Sequence, residues 1–134
     1  MAALSPIAYL DAATETAQRA LTVNPRNAVA YQSAAEVHRW RAQSRLDRGR
    51  SVRTDLNEGR RLVDQALALN PGLARALITG AALTIIQAEA EEPGRTRTAL
   101  AAEAERTLSE ALEINPLLER ETEELRRRIN DVSH

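Results

Sequence analysis

The sequence contains no cysteine, no lysine and no phenylalanine. The absence of cysteine excludes a disulfide scaffold, a thiolate metal site and a cysteine nucleophile. The absence of lysine excludes a phosphate-binding loop of the GxxxxGK type and any Schiff-base mechanism. Only two histidines are present, His38 and His134, so a histidine-rich zinc site is excluded as well. These absences remove several of the common routes to catalysis.

Length and charge indicate a soluble single domain. The 134 residues carry a formal net charge of −1, which argues against general binding to nucleic acid or to a membrane. The longest uncharged run covers residues 76–88, which is shorter than the ~20 residues that cross a bilayer. The N-terminal segment has no basic residue before its apolar stretch, unlike a secretory signal. We therefore expect a cytoplasmic protein without a cofactor, a metal ion or a small-molecule substrate.

An asparagine–proline pair recurs three times, at residues 24–25, 70–71 and 115–116, so that the prolines are 46 and 45 residues apart. Alanine and leucine stand five and four residues before each proline. The aligned segments are AQRALTVNPRNAVAY, VDQALALNPGLARAL and LSEALEINPLLERET. Agreement at several aligned positions predicts an internal repeat.

Between these pairs the apolar residues have the spacing of amphipathic helices, and no segment alternates with the period of a strand. Six helices are predicted, at residues 6–23, 27–48, 52–69, 72–91, 96–114 and 117–130. Each asparagine is expected to take the left-handed conformation at a helix end, and each proline to occupy the first turn of the next helix. Ser5 before Pro6 predicts an N-cap for the first helix.

These features resemble the tetratricopeptide repeat (TPR), a family of antiparallel helix pairs. In that family a small residue lies twelve positions before the proline, as Ala13, Gly59 and Ala104 do here. The period departs from the usual length of about 34 residues, and Ala34 and Gly80 replace a customary leucine. Extended repeats of this kind are also similar to the C-terminal helical arrays of some bacterial serine/threonine protein kinases.

The resemblance implies an all-α, right-handed TPR-like superhelix of six antiparallel helices. It divides the chain into a half repeat at about 6–25, repeats at 26–71 and 72–116, and a capping helix at 117–134. The first helix then corresponds to the second helix of a repeat whose first helix is missing. That exposed side is expected to pack on a second copy or on an upstream domain.

Small residues are expected to let the helices of this superhelix pack closely, with Ala35 against Gly59 and Ala81 against Ala104. The last helix has an arginine, Arg126, at the corresponding position, where it would collide with a following helix. Its apolar stripe consists of Leu118, Thr122, Leu125 and Ile129, and the remaining positions are mostly charged. Such a helix is typical of the end of a repeat array.

TPR-like arrays bind partners in the concave surface formed by the first helix of each pair. The resemblance therefore implies a scaffold that binds a partner protein, a peptide or an intramolecular domain, without catalytic activity. The candidate binding residues, carried over by position, are Gln32, Glu36, Arg39, Trp40, Arg75, Ile78, Ala82 and Ile85. Trp40 flanked by arginine is typical of a binding anchor; the alternative is that it fills the wide end of a lengthened hairpin.

Two other functions compete with this scaffold. One is a homodimerising or regulatory C-terminal segment of a larger bacterial signalling protein such as a serine/threonine kinase. The other is a small hydrolase built on His38 and a nearby carboxylate. His38 falls where the family usually has a packing tyrosine, so we expect it to serve packing or capping.

Charge is distributed unevenly along the chain. Residues 39–53, which we call the arginine-rich tip, hold six arginines and one aspartate, whereas residues 89–124 hold eleven glutamates and four arginines. The simpler interpretation is that the arginines complement the dipole of the second helix and solvate a loop. The alternative is contact with an acidic or phosphorylated partner. Nucleic acid is disfavoured because only Trp40 interleaves with these arginines.

Overall fold

The structure, a computed structural model, describes the backbone of residues 6–133 and the side chains of residues 8–133. Within that range the chain forms six α-helices and no strand, which confirms the all-helical prediction. The helices are α1 (Pro6–Val23), α2 (Ala28–Asp47), α3 (Arg53–Leu69), α4 (Ala74–Ala90), α5 (Arg95–Ile114) and α6 (Glu123–Val132). The predicted N-cap, Ser5, lies outside the described residues. None of the helices in this range combines the length and the apolar character that spanning a membrane requires.

The start of the last predicted helix differs from the expectation. Residues 116–122 form two 3₁₀ turns, Pro116–Leu118 and Arg120–Thr122, instead of a continuous α-helix. Thr122 is buried, and its hydroxyl donates to the Glu119 carbonyl at 2.8 Å. A side-chain bond of this kind competes with α-helical pairing of the backbone, and α6 begins only at Glu123.

The apolar stripe of this last segment packs as predicted despite the different backbone. Its four residues, Leu118, Thr122, Leu125 and Ile129, are all buried. Arg126, beside the stripe, lies 3.6 Å from Glu105 of α5, measured from Nη2 to Oε1. The segment is therefore held on α5 by an apolar contact and by a half-exposed ion pair.

The three asparagine–proline pairs form one and the same turn. In each, the asparagine N–H donates at 2.9 Å to an alanine carbonyl four residues earlier. The N–H three residues after the asparagine donates to the asparagine carbonyl at 3.1–3.2 Å. The asparagine Oδ1 accepts from the N–H two residues on, at 3.0–3.2 Å. The sequence repeat is therefore also a repeat of local structure.

The backbone of these asparagines corrects the prediction of a left-handed conformation. Asn70 has φ −144° and ψ 91°, and Asn115 has φ −140° and ψ 89°, so both are extended. The reason is the following proline, which sterically disfavours the helical region for the residue before it. Pro25 and Pro71 also precede the next helix instead of opening it, because α2 and α4 begin three residues later, whereas Pro116 opens the first 3₁₀ turn. Asn27 caps α2 by accepting from the Ala30 N–H at 3.0 Å.

Helix α4 lies at the centre of the helical domain, where it packs against α2, α3, α5 and α6. Eleven of its 17 residues are buried, and Leu83, Ile85 and Ile86 are completely enclosed. Most of the other enclosed positions in the core are alanines. Small side chains at helix contacts allow the helix axes to approach closely, so this core forms without phenylalanine.

Gly59 lies at a point of close contact between α2, α3 and α4. A Cβ atom at Gly59 would lie 3.0 Å from Leu83 Cδ1 and 3.3 Å from His38 Cβ. The nearest neighbours of such an atom are therefore Leu83 and His38, and the Leu83 side chain fills the space that the glycine leaves. Ala35, the predicted neighbour, is fully buried in the cluster that joins α2 to α3 and α4. Ala81 and Ala104 belong to one buried cluster, as expected.

Replacing Gly59 by alanine is expected to lower the free energy of unfolding by about 1 kcal/mol. Alanine is the better helix former by about 1 kcal/mol, but overpacking a buried contact costs about 1–3 kcal/mol. Gly80→Ala is the matched control, since the nearest neighbour of a Cβ there is Val63 Cγ1 at an ordinary 3.5 Å. That variant is expected to be more stable by up to about 1 kcal/mol. Urea unfolding measures both changes, and equal stabilisation of the two variants would contradict the close contact at Gly59.

Candidate functional site

An open groove of about 1150 Å³ runs along α2, between α1 on one side and α4 with α6 on the other. Helix α1 contributes seven residues between Tyr9 and Ala20, and none of them is charged. The opposite wall comes from α4, from the second 3₁₀ turn and from α6, and it contains several charged side chains. The groove therefore has one largely apolar wall and one polar wall.

Six of the eight predicted binding residues line this groove. They are Gln32, Glu36, Arg39 and Trp40 from α2, and Arg75 and Ile78 from α4. Ala82 and Ile85 do not reach it: both are completely buried in the cluster that joins α4 to α5 and α6. Their assignment is corrected for a physical reason. Helix α4 is apolar on almost every side, so the sequence does not distinguish its groove-facing positions from its core positions.

A polar network forms the floor of the groove and ties α2 to α4. The Glu36 carboxylate accepts from the buried Thr79 hydroxyl at 2.7 Å and from Arg39 Nη1 at 2.7 Å. The Gln32 amide donates to the same threonine oxygen at 3.3 Å. Because these side chains hold one another in place, the floor is ordered before any ligand arrives.

Trp40 stands at the edge of this floor with 48% of its surface exposed. The Arg39 guanidinium lies 4.7 Å from the centroid of the indole ring, a cation–π contact that orients both side chains. A half-exposed tryptophan in a groove offers a large contact area at little cost in side-chain entropy. This placement favours the role of an anchor over that of a filler for the hairpin end.

Glu121 and Arg128, from the last part of the chain, make the contacts that fix the polar wall. The sequence does not indicate these contacts. Arg75 and Glu121 form a two-pronged ion pair at 3.0 and 3.3 Å. Arg128 bonds to Glu89 and also donates to the Gln43 side-chain oxygen at 2.8 Å. The sequence shows Arg128 only as one of several charged residues in the last segment. Its role depends on how α6 sits against α2 and α4.

The sequence also does not predict the role of Asp55, because an acidic residue in the first turn of a helix is common. Its buried carboxylate accepts from Arg45 Nε at 3.0 Å, and its other oxygen lies 2.9 Å from His38 Nδ1. A histidine–aspartate pair also occurs in hydrolases, where the histidine faces a nucleophile. Here both carboxylate oxygens are engaged with α2, so the cluster links α2 to α3.

The clearest shift in pKa belongs to an ion pair outside the groove. A hydrogen bond from Arg61 holds the pKa of Glu58 below its ordinary value. The resulting contribution to stability is present above the unfolded-state pKa and is lost as the pH falls through the folded-state pKa. It is small, because both side chains are about half exposed and the pair is screened.

Within residues 6–133, no group of three or more histidine, aspartate and glutamate side chains is placed to hold a metal ion. No protein-family model matches the chain, and no curated protein or solved structure matches it significantly. The interpretation of the groove therefore depends on its own geometry and chemistry.

Asp55→Asn is expected to lower the free energy of unfolding by about 2 kcal/mol, because it removes the charge that His38 and Arg45 share in a buried position. Asp64→Asn is the matched control: Asp64 is exposed on the same helix, and its replacement should change stability by less than about 0.5 kcal/mol. Thermal or urea unfolding provides the comparison. Equal effects of the two substitutions would show that the cluster of Asp55, His38 and Arg45 contributes nothing to the free energy of unfolding.

Proposed function

We propose that this chain is a protein–protein interaction scaffold, a TPR-like superhelix without catalytic activity, whose groove binds a helical segment of a partner protein. The observation that carries the proposal is the open groove with an uncharged wall on α1 and a polar wall opposite. A helix with its side chains is about 10–12 Å wide. An amphipathic helix would lay its apolar face against such a wall, which is a common mode of peptide recognition.

The TPR-like arrangement is supported by the pattern of neighbours. Helices α2, α4 and α6 pack against one another in succession. Helix α1 packs against the first member of this row, and α3 and α5 each pack against two consecutive members. Stacked helical hairpins have this pattern, and the same asparagine–proline turn follows each of α1, α3 and α5.

The charges of the groove indicate the chemistry of its partner. Five acidic and three basic residues line it, a balance of −2. The three arginines are already paired, with Glu36, Glu89 and Glu121. The remaining acids, Asp47 and Glu124, form no ion pair within the described part of the chain. We therefore expect a partner helix with an apolar face toward α1 and basic residues toward these two carboxylates.

Trp40→Ala and Ile78→Glu are expected to weaken binding of such a helix by about tenfold or more, because loss of an anchor residue costs about 2 kcal/mol or more and an unpaired carboxylate is costly to bury. Amphipathic helical peptides selected from a displayed library on the full chain would serve as probes. Leu117→Ala is the control, since Leu117 is 89% exposed and lies outside the groove. Calorimetry would measure the affinities. Selected peptides that bind both groove variants as tightly as the unaltered chain would contradict the groove as the binding site.

A second candidate function is self-association through α1, as in a regulatory segment of a larger bacterial signalling protein such as a serine/threonine kinase. Exposed apolar surface favours it: α1 packs mainly against α2 alone, and Tyr9 on α1 and Val29 on α2, which both line the groove, are exposed at 63% and 57%. A second copy could cover these side chains. Stable dimers bury about 800 Å² on each partner.

If α1 forms a dimer interface, the chain should have twice the monomer mass in light scattering at micromolar concentration. Tyr9→Glu would then restore the monomer, because an unpaired carboxylate is costly to bury. Leu117→Glu, which adds the same charge at an exposed leucine outside α1, should leave the dimer intact. A monomeric mass at every concentration up to millimolar would exclude this candidate.

A further inference from the structure

The six arginines of the arginine-rich tip divide into three that form ion pairs and three that form none in the part that the structure describes. Arg39, Arg41 and Arg45 are paired with the carboxylates of Glu36, Asp11 and Asp55. Arg48, Arg50 and Arg53 form no ion pair within residues 6–133. The positive charges of the tip without an acidic partner therefore lie in the turn after α2, at Arg48 and Arg50, and at the first residue of α3, Arg53.

A cleft of about 530 Å³ opens beside this turn, between the start of α3 and the end of α4. Three arginines, Arg50, Arg53 and Arg60, line it together with the neutral donors Ser51 and Asn57. Glu91 is the one acidic residue of the lining. The cleft thus has an excess positive charge and several hydrogen-bond donors.

The turn itself is built to hold this geometry. Gly49 has φ +67°, in the left-handed region that favours glycine, and it follows Arg48, the C-cap residue of α2. The Arg50 N–H donates to the Arg45 carbonyl at 2.8 Å, and the Gly49 N–H donates to the Leu46 carbonyl at 3.0 Å. This pair of bonds is the Schellman motif, which reverses the chain sharply at a helix end. It brings Arg50 back toward the first turn of α3.

Arg60 is oriented by neutral partners. Its Nη2 donates to Gln87 Oε1 at 2.6 Å and to Thr84 Oγ1 at 3.4 Å. Since neither partner is charged, the side chain is held in place while its positive charge remains uncompensated. The half-buried position of Arg60 strengthens its interaction with an anion relative to that of a fully exposed arginine.

We propose that this cleft binds a phosphate monoester carried by a phosphorylated side chain of a partner protein segment. The guanidinium groups match the oxygens of a doubly charged phosphate. The cleft accommodates a single modified side chain, and its lining contains no aromatic ring on which a nucleobase could stack. The site is separate from the groove, so the proposal does not depend on the helix-binding function.

The test is a titration of the full chain followed by two-dimensional amide NMR, at pH 7.5, where the phosphate is largely dianionic, and at constant ionic strength. The probes are a short peptide that contains phosphoserine, the same peptide without the phosphate, and inorganic phosphate. The phosphopeptide should shift the amide signals of Gly49, Ser51 and Asn57 saturably, and the unphosphorylated peptide should not. Equal affinity for inorganic phosphate and for the phosphopeptide would indicate a site for a free anion and would overturn the assignment to a partner segment.

The variant Arg50→Gln with Arg53→Gln should weaken phosphopeptide binding by about tenfold or more. The matched control, Arg26→Gln with Arg106→Gln, removes the same charge at two exposed arginines outside the cleft and should change affinity less than about twofold. Equal losses in the two variants would reduce the effect to net charge and overturn the proposal. All the substituted arginines are exposed, and thermal unfolding verifies that the variants fold.

Glu91→Gln provides a test in the opposite direction. It removes the acidic residue from the lining and should tighten phosphopeptide binding severalfold, because a like charge near the phosphate opposes binding. Unchanged or weaker binding would show that the phosphate does not lie in this cleft.

Discussion

The arrangement of the chain depends on one local constraint, the steric exclusion of the helical conformation at an asparagine that precedes proline. Asn70 and Asn115 are extended. In all three turns the asparagine side chain and carbonyl accept from N–H groups of the residues that follow. The helix before the turn ends there, and the turn directs the next helix back along it. Because this turn occurs three times, α2, α4 and the final segment are placed side by side, and the groove lies along that row.

Close packing through small side chains is the second constraint. The core contains no phenylalanine, and alanine occupies most of its enclosed positions outside α4. Helix axes that approach closely leave little space for large side chains, so Leu83 packs directly on the bare backbone of Gly59. The one tryptophan is accordingly found in the groove, half exposed, where large aromatic surface is available to a ligand.

Arginine supplies most of the polar ties between the helices. Its planar group can contact two partners at once, as Arg128 does with Glu89 and Gln43 and as Arg75 does with both oxygens of Glu121. The arginines of the groove are all paired with glutamates, and two further acidic residues give the groove a net negative charge. The turn after α2 contains no acidic residue, and its Arg50 lines the basic cleft together with Arg53 and Arg60 of α3. The uneven charge of the sequence thus corresponds to two surfaces in the structure, an acidic groove and a basic cleft.

The sequence by itself determined the helical class, the first five helices to within two residues, the internal repeat and the buried stripe of the last segment. These properties follow from local periodicity and from the stereochemistry of proline. Only the tertiary structure decided that Ala82 and Ile85 are core, that Asp55 joins His38 to Arg45, and which arginines of the tip remain unpaired. These outcomes depend on the register between helices that are distant in the chain, and a periodic pattern carries no information about that register.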